Sequence, residues 1–197
     1  MGAIFQSLGR TVAAGVVLLV LIVLAAQVLG AGSIQFGHAW GSFFMRWLHV
    51  LCGVMWVGLL WYFNFVQIPS MPKIPDEQKP AVGKVIAPTA LFWFRWAALA
   101  TVVTGLLLGG MNQYLVQSLS LQRPFTAIGI GMWLGLVMAF NVWFIIWPNQ
   151  QKILGLVEAT AEQKAAAAKP ALYASRFNTM FSIGMLYCMV AQQNAPV

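Results

Sequence analysis

Acidic side chains are scarce in this chain. Only four occur in 197 residues, Asp76, Glu77, Glu158 and Glu162, and all four stand in two polar connectors. The long apolar stretches therefore carry no carboxylate, which argues against a carboxylate proton relay or a cation-coupled transporter. Histidine is rarer still, with His38 and His49 alone. Cysteine is limited to Cys52 and Cys188, each inside an apolar run. No CxxC, CxxCH or zinc-type spacing exists, so neither a disulfide framework nor a covalently attached haem is encoded.

What the chain has is apolar residues. It is 60% hydrophobic and 8% charged, with a mean hydropathy of +0.79. Several stretches reach the roughly 20 apolar residues that cross a bilayer. The predicted class is an all-α, polytopic transmembrane helix bundle whose first partner is the lipid bilayer. A net charge of +7 would suggest nucleic acid in a soluble domain. Here every Lys lies between apolar spans, where positive charge records topology, and nucleic acid is set aside. The N-terminal run Thr11 to Leu29 is longer than a signal-peptide core of about 7–15 residues, so it is predicted to be a retained anchor.

Five spans are predicted, near 11–30, 43–66, 90–115, 125–147 and 173–192. They divide into an N-terminal anchor with an outer loop, 1–42, and a four-helix membrane domain, 43–197. The connector "QIPSMPKIPDEQKPAVGKVIAP" holds five of the nine prolines and is predicted to be irregular, with at most a short helix after Asp76. The connector "NQQKILGLVEATAEQKAAAAKPALYAS" is predicted to lie on the membrane surface as a helix, given its alanine run. Lys73, Lys79, Lys84, Lys152, Lys164 and Lys169 fall in these two connectors, Arg176 adjoins the second, and Arg10 is in the N-terminal tail. The N-terminus and both connectors are thus predicted to be cytoplasmic, and the C-terminus external.

Polar residues inside the spans are candidates for structure or chemistry. Asn64, Asn141 and Asn178 suit interhelical hydrogen bonds. "GLLLG" at 105–109 and "GMWLG" at 131–135 are small-xxx-small patterns, so Gly105, Gly109, Gly131 and Gly135 are expected at helix contacts and are assigned to docking on a partner. Arg95, between Trp93 and Trp96, reads as an interfacial anchor with a snorkelling guanidinium. In "FFMRWLHV", Arg46 and His49 stand three residues apart at the head of an apolar run. They are the candidate cofactor-binding pair, for haem or another tetrapyrrole, set against a purely structural His49 bonded to a neighbouring helix. On a continuous helix His38 and His49 are separated by about 16 Å along the axis, too far to clamp one iron.

The segments MRWLHVLCGVMWVG (45–58), WFRWAALATVVTG (93–105), FNVWFIIWPNQQKI (140–153) and SRFNTMFSIGMLYCMV (175–190) resemble, in order and spacing, the N-terminal membrane domain of bacterial membrane-bound urate oxidases (urate hydroxylases). The resemblance covers most of 43–192. It implies a bacterial inner-membrane location and electron delivery to a cytochrome c domain. No such domain follows within these 197 residues, so a separate c-type cytochrome is the acceptor the resemblance implies. The family pattern has a histidine ahead of the N-V motif and another in S-R-H-N; Gly129 and Phe177 stand at those places. Catalysis needs positioned acids, bases or metals, and the chain is expected not to be catalytic alone. The expected function is an accessory or structural integral-membrane subunit docking on other subunits of a larger redox or energy-converting complex. The alternatives are a small electron relay through a His49-ligated haem and a remnant urate-oxidase-type activity.

Overall fold

Hydrocarbon supplies no hydrogen bonds, so a chain this apolar must close its backbone polar groups within helices. The computed structural model, which describes residues 2–30 and 34–194, is all-α among those residues. Residues 31–33 of the expected outer loop and the C-terminal residues 195–197 lie outside the described residues. In chain order the helices are α1 (Gly2–Phe5), α2 (Leu8–Val28), α3 (His38–Trp61), α4 (Ile68–Ser70), α5 (Lys79–Ala81), α6 (Ala87–Met111), α7 (Leu115–Leu119), α8 (Thr126–Phe140), α9 (Trp147–Ile153) and α10 (Ala161–Asn194). Three π-helical segments interrupt them: π1 (Tyr62–Gln67), π2 (Val82–Ile86) and π3 (Asn141–Ile146). The chain forms two compact units, Met1–Gly41 and Ser42–Val197.

The π segments explain why the prolines do not break the spans. Proline's ring collides with the carbonyl four residues earlier in an α-helix. For Pro69, Pro88 and Pro148 that carbonyl belongs to Phe65, Lys84 and Phe144, one inside each π segment. A wider turn at each place lets the helix continue, as π insertions commonly do. The first connector is consequently more helical than predicted: the helical run from α3 extends to Lys73 and the next resumes at Lys79. The irregular link shrinks to Ile74–Gln78.

Four helical stretches are long and apolar enough to cross a membrane: Leu8–Val28, His38–Lys73, Lys79–Met111 and Thr126–Ile153. The fifth predicted span lies within α10. That helix has ample length at 34 residues but falls short of the apolarity of the other four. Its Ser175, Asn178 and Ser182 are buried against the bundle, so three of the residues that lower its hydropathy face the other helices. The alanine run predicted as a separate surface helix forms its first turns. Thr160 and Gln163 close a reciprocal capping box at its start, at 2.9 and 3.3 Å, and a Schellman turn at Gly155 (φ +70°) ends α9 before it.

Within Ser42–Val197 the core gathers Trp56, Leu60, Phe94, Ala98, Met138, Val142 and Met185 from α3, α6, α8, π3 and α10. Alanines at 167, 171, 174 and 191 carry the buried face of α10. Their small side chains let the other helices pack closely on it.

Candidate functional site

His49 is held between α3 and α6. Its Nδ1 lies 3.0 Å from the Thr101 carbonyl oxygen and 3.2 Å from Thr104 Oγ1. A carbonyl only accepts, and the Thr104 hydroxyl already donates to the Ala100 carbonyl at 2.7 Å, so Nδ1 carries the proton. Nε2 therefore keeps its lone pair. A Cβ at Gly105 would stand 2.9 Å from His49 Cε1 and 3.2 Å from Nδ1, so the missing side chain of Gly105 is what admits the ring. Arg46, half-buried one turn earlier on α3, acts electrostatically on Tyr114 in the α6–α7 link. Burial raises the Tyr114 hydroxyl above its ordinary pKa, and the Arg46 charge partly offsets that.

A second set of polar groups forms a seam along α10. Asn178 is wholly buried; its Oδ1 accepts from Asn141 Nδ2 at 2.9 Å and its Nδ2 donates to the Met138 carbonyl at 2.9 Å. Three residues earlier, Ser175 Oγ accepts from Asn64 Nδ2 at 2.8 Å. Four residues later, Ser182 Oγ accepts from Trp61 Nε1 at 2.9 Å. Spacings of three and four put these acceptors on one helical face, and that face ties α10 to α3, π1, α8 and π3. Asn141 and Asn178 are brought together as interhelical partners. Ser175, Ser182, Thr101 and Thr104 were not singled out from the sequence, although serine, asparagine and serine at 175, 178 and 182 do show a helical period.

The four glycines assigned to docking are covered from within the chain. A Cβ at Gly105 would meet His49; one at Gly109 would meet Leu115 at 3.3 Å; one at Gly131 would meet Cys188 at 3.0 Å; one at Gly135 would meet Met185 at 3.5 Å. They pack the chain's own helices rather than a partner's, because a small-xxx-small pattern specifies close approach and not the neighbour. Open space instead faces Gly15 on α2 and Gly58 on α3. Arg95, read from the sequence as a snorkelling anchor, is half-buried. Its guanidinium lies 3.7 Å over the Trp147 ring, while Nε and Nη1 are buried without a hydrogen-bond partner. The aromatic face supplies a cation–π contact where a hydrogen bond is missing.

Residues 110–196 match the family model described as urate oxidase N-terminal. No curated protein and no solved structure matches the chain. The matched stretch is urate-oxidase-like and holds α7 to α10, including Asn141 and Asn178; it is narrower than the resemblance over 43–192, and His49, Arg46, Gly105 and Gly109 fall outside it. Inside it, the two positions that the resemblance gives to histidine are put to other use. A Cβ at Gly129 would overlap the Ser118 carbonyl, so this backbone has no room for a side chain where α7 crosses α8. Phe177 meets Phe181 in a tilted ring pair with centroids 4.0 Å apart and is exposed on the face of α10 away from the seam.

Proposed function

We propose that this chain is an accessory integral-membrane subunit of a bacterial inner membrane, docking on a larger redox or energy-converting complex. The observation that carries the reading is α2. It has 21 residues, apolar on every face, and none of them is buried. Such a helix is suited to lipid or to the helices of another protein, and Gly15 leaves a place for close approach. The N-terminus and the two lysine-bearing connectors lie in the cytoplasm, and α10 makes the fifth crossing.

Native electrophoresis and mass spectrometry of the complex extracted from its source membrane test the reading. A stable heteromeric complex is expected, released by Gly15→Leu and not by His49→Ala. A chain that migrates alone after mild extraction refutes it.

A second reading is favoured by one specific feature, the free lone pair that the Thr101 bond leaves on His49 Nε2. An imidazole fixed through Nδ1 to a carbonyl is the usual form of a metal-ligating histidine. The chain would then relay electrons through a His49-ligated tetrapyrrole to a separate c-type cytochrome. An absorption band in the purified protein that disappears in His49→Ala would replace the first reading with this one, and urate oxidation by the purified chain would displace both.

A further inference from the structure

Arg95 is the single charged residue of α6, and no carboxylate of the described residues pairs with it. All four acids stand in the connectors, and the salt bridge formed there joins Lys79 to Asp76. The guanidinium is nevertheless held in place. It lies 3.7 Å over the Trp147 ring, with the Phe92 and Trp143 rings at 5.8 and 5.9 Å. Within this cage Nε, Nη1 and the neighbouring Trp143 Nε1 have no surface left open, so they offer nothing to a ligand. Nη2 differs, being neither shut in nor hydrogen-bonded. The guanidinium therefore presents one open edge, with two N–H donors in a fixed orientation.

The depth of that edge follows from the length of α6, which ends at Met111. About 30 Å of hydrocarbon takes roughly 20 residues at 1.5 Å each. Counted back from Met111, an upright α6 leaves the hydrocarbon near Phe92. The Arg95 Cα then lies about 4–5 Å inside that boundary, at the end of the bundle that carries the lysine connectors. Helical side chains lean toward their own N-terminus, and here that direction leads to the headgroups. Trp93 and Trp96, both exposed, mark the same level as an aromatic belt.

We propose that the open edge of Arg95 binds the phosphate of one phospholipid of net negative charge. Nη2 donates to the phosphate oxygens in a charge-assisted hydrogen bond. The exposed rings of Phe92, Trp93 and Trp96 on α6 and of Phe144 on π3 take the acyl chains. A headgroup of zero net charge carries its own cation and leaves the guanidinium uncompensated, so it binds more weakly. A soluble anion would have to pass below the headgroups to reach the same atoms. The proposal rests on neither functional reading above.

In the test, the full chain purified in detergent is titrated with dioleoyl-phosphatidylglycerol and, separately, with dioleoyl-phosphatidylcholine, and bound lipid is counted by native mass spectrometry. One phosphatidylglycerol per chain is expected, held at least about fivefold more tightly than phosphatidylcholine, the worth of one basic residue at a charged membrane surface. Arg95→Gln should abolish that preference, with folding checked by circular dichroism. Lys164→Gln, which removes a connector charge, should leave it intact. The comparison of the two lipids on the unaltered chain needs no variant. Equal affinity for both lipids, as a plain interfacial anchor would give, overturns the proposal. So does an undiminished preference in folded Arg95→Gln. Displacement of the lipid by excess inorganic phosphate would assign the edge to a soluble anion and overturn it as well.

Discussion

The helices α2 and α10 invert the usual relation between apolarity and burial. Every residue of α2 remains unburied, and it is apolar without a break from Val12 to Ala26. In contrast, α10 carries serine and asparagine and buries Ser175, Asn178 and Ser182, of which Asn178 and Ser182 are wholly inaccessible. In water, apolar faces turn inward. In lipid the apolar effect no longer distinguishes helix from solvent, so helices associate through close packing and polar bonds. The most polar of the long helices is accordingly the one that the others are tied to.

That contrast can be broken most sharply at Asn178. Asn178→Leu removes two interhelical hydrogen bonds and strands Asn141 Nδ2 in the core, while the Met138 carbonyl keeps its bond from the Asn141 backbone N–H. The expected loss is on the order of 2–4 kcal/mol, since an unsatisfied buried group adds to the bonds lost. Leu19→Asn on α2 is the counterpart. It should leave the stability of the Ser42–Val197 bundle unchanged, whatever it does to insertion. Unfolding in mixed micelles, followed by tryptophan fluorescence, measures both, and equal effects would end the comparison.

The seat of His49 sharpens it next. Gly105→Ala places a methyl 2.9 Å from the His49 ring, so the ring must leave Thr101 or the helices must part. Overpacking of this kind costs about 1–3 kcal/mol. The double variant Gly105→Ala, His49→Ala should recover most of that loss. If it recovers nothing, the glycine is needed for backbone reasons and not for the ring.

The architecture was legible to different depths. The apolar runs were readable because about 20 such residues have few soluble uses. The asparagines were readable as interhelical groups because an unpaired amide in hydrocarbon is costly. The direction of each glycine was not readable: Gly131 and Gly135 face Met185 on α10, and nothing within their own motif names that helix. The π segments were hidden because Pro69, Pro88 and Pro148 signal a break in local sequence, while the accommodating turn is set by packing. The cage of Arg95 was hidden too. Trp143 and Trp147 stand far from Arg95 in the chain and reach it only through the bundle.

A smaller test concerns the end of the α10 seam. Trp61 Nε1 donates to Ser182 Oγ at 2.9 Å. Trp61→Phe retains the aromatic contact with Phe65 and removes the donor. A loss of about 0.6–1.7 kcal/mol is expected, the range measured for single interhelical bonds in membrane proteins. Ser182→Ala should cost a similar amount, and the double variant should cost less than the sum of the two.

The smallest expected effect lies outside the spans, in the link between Lys73 and Lys79. Lys79 Nζ donates to Asp76 Oδ1 at 2.6 Å, and this bond, with the lysine charge, lowers the Asp76 pKa below its ordinary value of 3.8. A lowered folded-state value means that protonation is easier in the open link. The contact therefore contributes fully above the ordinary carboxylate pKa and is lost as pH falls through the lowered folded value. Asp76 is exposed, so water and salt screen the pair and global unfolding should barely respond. Local opening is the sensitive measurement. Amide exchange or limited proteolysis across residues 74–78, corrected for the intrinsic pH dependence, should show weaker protection below about pH 4 in the wild type and none of that change in Asp76→Asn. The same acid loss in Asp76→Asn would assign it to another group.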